Sequence, residues 1–203
     1  MKSPLARLLL LVLFAVPLAA GAVTPAPADV NTVVVRSAGG SKSFTVVEKG
    51  NAIEIVLPGG VRLLGEPAGE KRKYRRGAGG PPICEVKPGD AGFKLRTTDG
   101  KLLWKVKLAD DKIKVSDNEE NANPYSIKLK YPDKAKVVDA AEKELAEVRF
   151  GPDKTKVKGA DGAELWECRS PRRRTASFGV LVLERIPEEH RAILMAEILA
   201  RRR

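Results

Sequence analysis

A Ser–His–Asp or Cys–His catalytic arrangement in this chain would have to use His190, because the sequence contains no other histidine. A nucleophilic triad needs a serine or cysteine beside the imidazole, and the sequence predicts no nucleophile next to His190. Paired carboxylates for acid–base chemistry would have to come from Asp110 and Asp111 or from Glu119 and Glu120. Adjacent acids on a turn usually face solvent, so these residues favour a non-catalytic protein and leave an exported hydrolase as the alternative.

Metal and cofactor signatures are sparse. Segment 116–123, SDNEENAN, concentrates oxygen ligands that suit Ca²⁺, but it lacks the spacing of a calcium loop and has no central glycine. The sequence contains no glycine-rich phosphate loop and no zinc-type spacing of cysteines and histidines. We therefore predict no metal and no cofactor, and we interpret 116–123 as an acidic turn.

Two basic clusters are the best candidates for a binding site. The first lies in the Gly/Pro-rich segment 65–82, which we predict to be a long loop with at most one strand around Tyr74. The second lies in ECRSPRRRTAS, residues 167–177. Such groups suit phosphates or an anionic membrane surface, at about 1 kcal/mol per residue, although a solvated basic surface is the alternative. The predicted anion- or lipid-binding residues are Lys71, Arg72, Lys73, Arg75, Arg76, Arg172, Arg173 and Arg174.

The two cysteines, Cys84 and Cys168, admit two interpretations. An oxidising compartment would allow a disulfide bridge between them. Cys168, however, aligns with Val106 and Val148 at inward positions of a repeat, where a buried thiol serves equally well.

The first 22 residues have the layout of a secretory signal peptide, with a short basic start, an apolar run and small residues before Val23. Residues 23–30 are predicted to be a flexible leader, and residues 31–203 a single domain. Removal of the signal peptide lowers the formal charge from +11 to +9. We predict a secreted or periplasmic protein, for which anionic lipid or an acidic envelope polymer is a plausible partner and nucleic acid is not.

A twenty-residue repeat predicts how the domain is built. PDKAKVVDAAEKELAEVR (132–149) and PDKTKVKGADGAELWECR (152–169) are aligned at a constant offset. A unit of this length with a central turn fits a β-hairpin. Apolar residues and lysines alternate within the strands, so one face should be buried and the other wet. We count about 12 strands by this pattern, including segment 139–148 despite its helix-forming composition, and TASFGVLVLERI (175–186) as the last strand.

The C-terminal segment predicts a helix that is enclosed by those strands. Residues 188–201 begin with acids and end with arginines, which complements the helix dipole. The helix is apolar on nearly all sides and too short to cross a bilayer, so protein should surround it. A barrel of about 12 strands is hollow and needs such a plug. The predicted fold is therefore all-β: an antiparallel barrel of repeated hairpins around a C-terminal hydrophobic helix.

Hairpins of the form FKLRTTDGKLLWKVK (93–107), followed by an apolar helix, resemble the Tubby C-terminal-like fold, which includes LURP-one-related proteins and phospholipid scramblases. The resemblance implies a barrel of about 12 strands around a central helix. It also implies contact with phospholipid, since Tubby proteins bind phosphoinositides. The export signal departs from this family, whose members work mostly inside cells, and no ligand residue carries over by position.

Charge and export together predict a non-catalytic binding or scaffold protein that acts at anionic surfaces of the cell envelope, with peripheral membrane contact and phospholipid as one ligand. The alternatives are an exported hydrolase with its site at a barrel end, and a structural module that binds a protein through a strand edge or an apolar patch. The oligomeric state does not follow from the sequence.

Overall fold

The computed structural model describes residues 31–130, 132–170 and 175–201. Within these residues the chain forms one closed antiparallel barrel of fourteen strands, which confirms the predicted fold class with two more strands than expected. The strands are β1 (Thr32–Ser37), β2 (Ser43–Lys49), β3 (Ala52–Val56), β4 (Arg62–Ala68), β5 (Lys71–Arg76), β6 (Pro82–Gly89), β7 (Gly92–Arg96), β8 (Leu102–Ala109), β9 (Lys112–Ser116), β10 (Tyr125–Lys130), β11 (Lys134–Val138), β12 (Glu144–Phe150), β13 (Thr155–Gly159) and β14 (Glu164–Cys168).

Each strand pairs with its neighbours in sequence, and β1 closes the barrel on β14 with Val35 opposite Cys168. Every strand of the described barrel is therefore hydrogen-bonded on both sides. A closed sheet leaves no strand edge on which another chain could add a strand. The described barrel therefore gives no open strand edge for the strand-addition mode of protein binding that the sequence leaves as an alternative.

The sequence repeat corresponds to a hairpin with a β-bulge. In the hairpins β5–β6, β7–β8, β11–β12 and β13–β14 the register shifts at the same place in the second strand. An apolar residue takes the extra position each time: Ile83, Leu103, Leu145 and Leu165. A bulge bends its strand and increases the local twist, which helps a sheet to close.

Two segments differ from their sequence interpretation. The long loop predicted for 65–82 is instead two tight connections around the one strand allowed near Tyr74, which is β5 (Lys71–Arg76), paired with β4 and β6. Its composition resembles a solvated loop because five of its six side chains are charged. Arg72 nevertheless pairs with the buried Glu197 of the C-terminal helix, and the exposed Arg76 pairs with Glu189 of the same helix.

The second difference is in segment 175–186, which was expected to be the last strand. Ala176–Val182 instead forms a 3₁₀ helix inside the barrel, with Ser177 N–H bonded to the Thr175 hydroxyl at its start. Because β1 already closes the sheet on β14, no strand position remains for this apolar segment. Gly179 allows it to approach the wall closely, since a Cβ there would lie 2.8 Å from Val137 Cγ2.

The C-terminal helix α1 (Glu188–Arg201) fills the remainder of the interior, as predicted. All eight residues from Ala192 to Leu199 are buried, including the acidic Glu197. The 3₁₀ helix packs on β10–β13 and α1 packs on β2 and β3, so two helical layers share the core. Segment 144–150 is a strand and not a helix, with Ala146 and Val148 buried in the wall.

Candidate functional site

The outer face of strands β7–β11 carries an unusual concentration of positive charge. Each of these five adjacent strands contributes two basic residues, and none contains an acidic residue. Apolar neighbours such as Val106, Ile113 and Ile127 are buried, so the alternating basic residues face outwards. We call this set the basic belt: Lys94, Arg96, Lys105, Lys107, Lys112, Lys114, Lys128, Lys130, Lys134 and Lys136.

The register of the sheet places like charges of the belt directly opposite one another. Five lysine pairs are cross-strand partners: Lys94 and Lys105, Lys107 and Lys114, Lys112 and Lys128, Lys128 and Lys136, and Lys130 and Lys134. Like charges in directly opposed positions destabilise a sheet. Opposed lysines that have no acidic partner therefore lower the stability of the fold, and local features that oppose stability tend to occur at functional sites.

Carboxylates outside β7–β11 neutralise the rim of the belt. Glu119, in the loop after β9, pairs with Lys94 at 2.6 Å and with Arg96. The hydrogen bond from Lys94 holds the pKa of Glu119 below its usual value. Further carboxylates reach the other edge, where Glu144 pairs with Lys136 at 2.7 Å and Glu147 with Lys134 at 3.4 Å.

The centre of the belt lacks such compensation. Lys105, Lys107 and Lys114 form no ion pair with any carboxylate of the described residues, and Lys105 donates only to the main-chain carbonyl of Glu119. Lys107 is exposed, and Lys105 and Lys114 are half-buried. Three ammonium groups on two neighbouring strands thus offer hydrogen-bond donors and charge to an external anion.

Elsewhere on the barrel, some carboxylates of the wall lie between two basic partners. On β3, Glu54 accepts from Lys49 at 2.8 Å and pairs with Arg62 at 2.7 Å, and the hydrogen bond from Lys49 lowers its pKa. On β14, Glu167 lies between Lys154, at 3.0 Å, and Arg169. A hydrogen bond from Lys154 lowers the pKa of Glu167 in the same way. The basic belt differs in that five adjacent strands contribute basic residues and no acid.

The first predicted basic cluster is largely neutralised by internal partners. Lys71 pairs with Glu85 at 2.6 Å, Arg72 with Glu197 at 2.7 Å, Arg75 with Glu66 at 3.2 Å, and Arg76 with Glu189 at 2.6 Å. Lys73 is exposed and lines a cleft of about 290 Å³ with Pro81, Pro82, Glu85 and Thr98. The members of the second cluster, Arg172, Arg173 and Arg174, lie outside the described residues.

The interior members of the first cluster attach α1 to the barrel wall. Fully buried Glu197 accepts hydrogen bonds from Tyr74 Oη and Arg72 Nη1, both at 2.7 Å, and from Arg201 on its own helix. Arg201 also lies 4.5 Å from the centre of the Phe93 ring, a cation–π contact. Burial, reinforced by the Glu197 carboxylate, raises the pKa of Tyr74 well above its ordinary value.

The only histidine of the sequence lies in the first turn of this helix. His190 Nδ1 accepts a hydrogen bond of 3.1 Å from Trp104 Nε1, which places the proton of the neutral ring on Nε2. Burial lowers the pKa of His190, and the charge of Glu189 partly opposes this shift. Glu189 is itself held by a two-bond contact from Arg76. With Nδ1 occupied and Nε2 protonated, this imidazole anchors the helix and is poorly disposed to act as a base.

Cys84 and Cys168 are free thiols, both buried. They lie on β6 and β14, which are separated by six steps in the shorter direction around the barrel, so no bridge joins them. Both are buried, and Cys168 lies at the inward position that the repeat predicts for a small apolar group. Burial raises the pKa of Cys84 to about 12, with smaller effects from Glu189 and Glu197.

The acidic segments occupy turns. In 116–123, Asn118 Oδ1 accepts from Ala122 N–H and Ser116 Oγ donates to Asn121 Oδ1, so these oxygens serve the loop itself. Asp110 and Asp111 form the β8–β9 turn and line a cleft of about 300 Å³ with Leu129, Lys130, Pro132 and Phe150. Among the described residues, no group of three or more histidine, cysteine or carboxylate side chains is arranged to hold a metal ion.

Comparison with known protein families, with characterised proteins and with solved structures finds no match to this chain. The barrel with its enclosed helix does not identify a Tubby-like family, so that resemblance stays a prediction. In the described part of the chain, none of the helices has the length and apolar character that a membrane crossing requires.

The alternating lysines of the belt are evident in the sequence, but the predicted anion-binding site lies in the two arginine- and lysine-rich segments instead. The signal was available, because the strand segments between residues 92 and 138 alternate lysines with apolar residues and contain no acid. What the sequence did not give is the register, which brings lysines of different hairpins into opposed pairs.

Proposed function

We propose that this protein is a non-catalytic binding protein that attaches to anionic surfaces of the cell envelope through the basic belt. The observation that carries the proposal is the set of five directly opposed lysine pairs on strands without acids. At the opposed pair Lys107 and Lys114, where neither lysine has a carboxylate partner among the described residues, a bound anion converts a repulsion into two attractions and supplies the missing compensation.

The central lysines set the scale of the expected interaction. A basic residue close to an anionic membrane contributes about 1 kcal/mol. Lys105, Lys107 and Lys114, which carry no carboxylate partner within the described chain, would together contribute about 3 kcal/mol, or roughly 150-fold in affinity. Rim residues such as Lys136 contribute less, because an external anion must compete with Glu144.

The proposal moves the predicted contact from the two arginine-rich segments to the sheet. Arg72 and Arg76 are engaged by Glu197 and Glu189 of the enclosed helix, so their charge is already used to hold the fold. Export of the protein and its action in the periplasm or outside the cell are part of the proposal, and they rest on the signal-like residues 1–22. Phospholipid is one source of the anionic surface.

Co-sedimentation with lipid vesicles tests this function. We expect the protein to bind vesicles that contain anionic lipid at low salt and to dissociate from them as salt approaches 1 M. We expect no binding to neutral vesicles. The double variant Lys107→Gln/Lys114→Gln should bind about thirtyfold more weakly. The matched control Arg36→Gln/Lys42→Gln removes two exposed charges around β1, diametrically opposite β8 in the strand order, and should bind like the unmodified protein.

Two results would reject the proposal: binding that does not depend on anionic lipid or on salt, and equal loss of binding in the belt variant and the control. Thermal unfolding of both variants separates these outcomes from misfolding. Removing Lys107 and Lys114 relieves a repulsion, so the belt variant should be at least as stable as the parent.

A further inference from the structure

We infer that the natural ligand of the basic belt is a linear polyanion that wraps around the barrel, and not the flat surface of a bilayer. This inference rests on the proposed function, because it assumes that the belt binds anions. It concerns the shape of the ligand, which follows from three further features of the belt: its path, its surroundings and its side-chain chemistry.

The belt follows the circumference of the barrel. Lys107, Lys114 and Lys128 each lie two residues from the end of their strand at the same end of the barrel, where β8 ends at Ala109, β9 begins at Lys112 and β10 ends at Lys130. They therefore share one height on the wall although they belong to three strands. From one opposed pair to the next the belt shifts by two residues along the strands, which compensates the tilt of strands in a barrel.

The belt is long and narrow. From Lys94 on β7 to Lys134 on β11 it crosses four strand spacings of about 4.8 Å and shifts by six residues of about 3.3 Å, which gives a path of about 28 Å. Across this path it is only two basic residues high on each strand. Because five of the fourteen strands cover about a third of a closed circumference, the path is strongly convex. A flat surface touches such a wall along a few strands only, whereas a flexible chain can follow all five.

Among the described residues, the strands of the belt carry no exposed large hydrophobic side chain that could insert into a membrane. Among the described residues, the exposed large hydrophobic side chains are Val61, in the β3–β4 turn, and Leu165 on β14. Neither belongs to the five strands of the belt. Peripheral proteins that hold a bilayer tightly combine charge with buried apolar area, so the belt alone favours a ligand recognised by charge.

The side chains of the belt suit a repeating anion of simple geometry. Nine of the ten residues are lysines, whose ammonium groups act as mobile point charges and impose no planar, two-bond geometry. The aromatic residues of these strands, Phe93, Trp104 and Tyr125, pack in or against the core and give no platform for stacked bases. The ligand class is therefore a linear polymer with a negative charge on each repeat, such as a chain of phosphate or carboxylate groups.

Binding of inorganic polyphosphate tests the inference, because it is the simplest linear polyanion. Long chains, which span the belt, are compared with tripolyphosphate, which does not, and with anionic vesicles, all by titration at equal concentration of negative charge. We expect long chains to bind at least tenfold more tightly per charge than tripolyphosphate or vesicles. In Lys107→Gln/Lys114→Gln the slope of log affinity against log salt should fall by about two, and in Arg36→Gln/Lys42→Gln it should not change.

The outcomes separate the two proposals. If vesicles or tripolyphosphate bind as tightly per charge as the long chain, and do so through the belt, the polymer inference is overturned while the proposed function stands. If no probe distinguishes the belt variant from its control, both are overturned. A preference for long chains that survives in the belt variant would place the polymer elsewhere and would also reject the inference.

Discussion

Replacement of Glu197 by alanine tests how the barrel holds its helix. The carboxylate is fully buried and is shared by Tyr74 of the wall, Arg72 of the wall and Arg201 of the helix. In Glu197→Ala the fully buried Tyr74 hydroxyl loses this acceptor, which costs about 1–3 kcal/mol. The arginine side chains are 18% and 25% exposed, so water takes over part of their hydrogen bonding.

We therefore expect Glu197→Ala to lower the free energy of unfolding by about 3 kcal/mol, the lower end of what breaking a buried ion pair costs. Urea unfolding followed by tryptophan fluorescence measures this, because Trp104 and Trp166 pack against the core. Glu197→Gln keeps a side-chain oxygen acceptor in nearly the same shape, so its free energy of unfolding should fall less than that of Glu197→Ala. The surface variant Glu142→Ala removes only the partner of Lys128, and its free energy of unfolding should fall by less than about 1 kcal/mol.

A loss below about 0.5 kcal/mol in Glu197→Ala would be the size of an ordinary surface substitution. It would refute the buried attachment, and with it the placement of the C-terminal helix inside the barrel. A loss equal to that of Glu142→Ala would lead to the same conclusion. Circular dichroism of the folded variants would show whether the strands survive when this contact is removed.

Two further predictions concern the packed interior. In Gly179→Ala the free energy of unfolding, measured by the same urea assay, should fall by about 1–3 kcal/mol, because the new Cβ would lie 2.8 Å from Val137 Cγ2. Gly39→Ala, where a Cβ meets nothing within 4 Å, is the control, and equal effects at both positions would contradict the packing. The raised pKa of Cys84, about 12, means that the folded state keeps a proton that the unfolded state releases, so stability falls as pH rises from about 9 to 12. The fall in the free energy of unfolding should approach about 1.4 kcal/mol per pH unit between these values. In Cys84→Ala it should be shallower between about pH 9 and 10, because the remaining groups with raised pKa values, Tyr74, Lys136 and Lys156, contribute mainly above about pH 10. Parallel curves between about pH 9 and 10 would show that Cys84 is not buried as described.

The sequence by itself determined the class of the fold. Alternation of apolar and lysine residues is a local property, so strands such as Tyr125–Lys130 could be read without knowing their neighbours. The twenty-residue repeat overrode the helix propensity of segment 139–148, and Glu144–Phe150 is indeed a strand. The apolar composition of 192–199 required enclosure, and a closed sheet is the structure that supplies it.

Tertiary structure decided where the charges act. The composition of 65–82 favours a long loop with at most one strand near Tyr74, because the carboxylates that pair with Arg72 and Arg76, Glu197 and Glu189, lie more than one hundred residues away in the sequence. The apolar composition of segment 175–186 favours a strand, whereas Ala176–Val182 forms a 3₁₀ helix because β1 pairs with β14 and leaves no strand position. The opposed lysines of the belt depend on strand register, which no single strand encodes. Composition is local, whereas charge compensation is a property of atoms that only folding brings together.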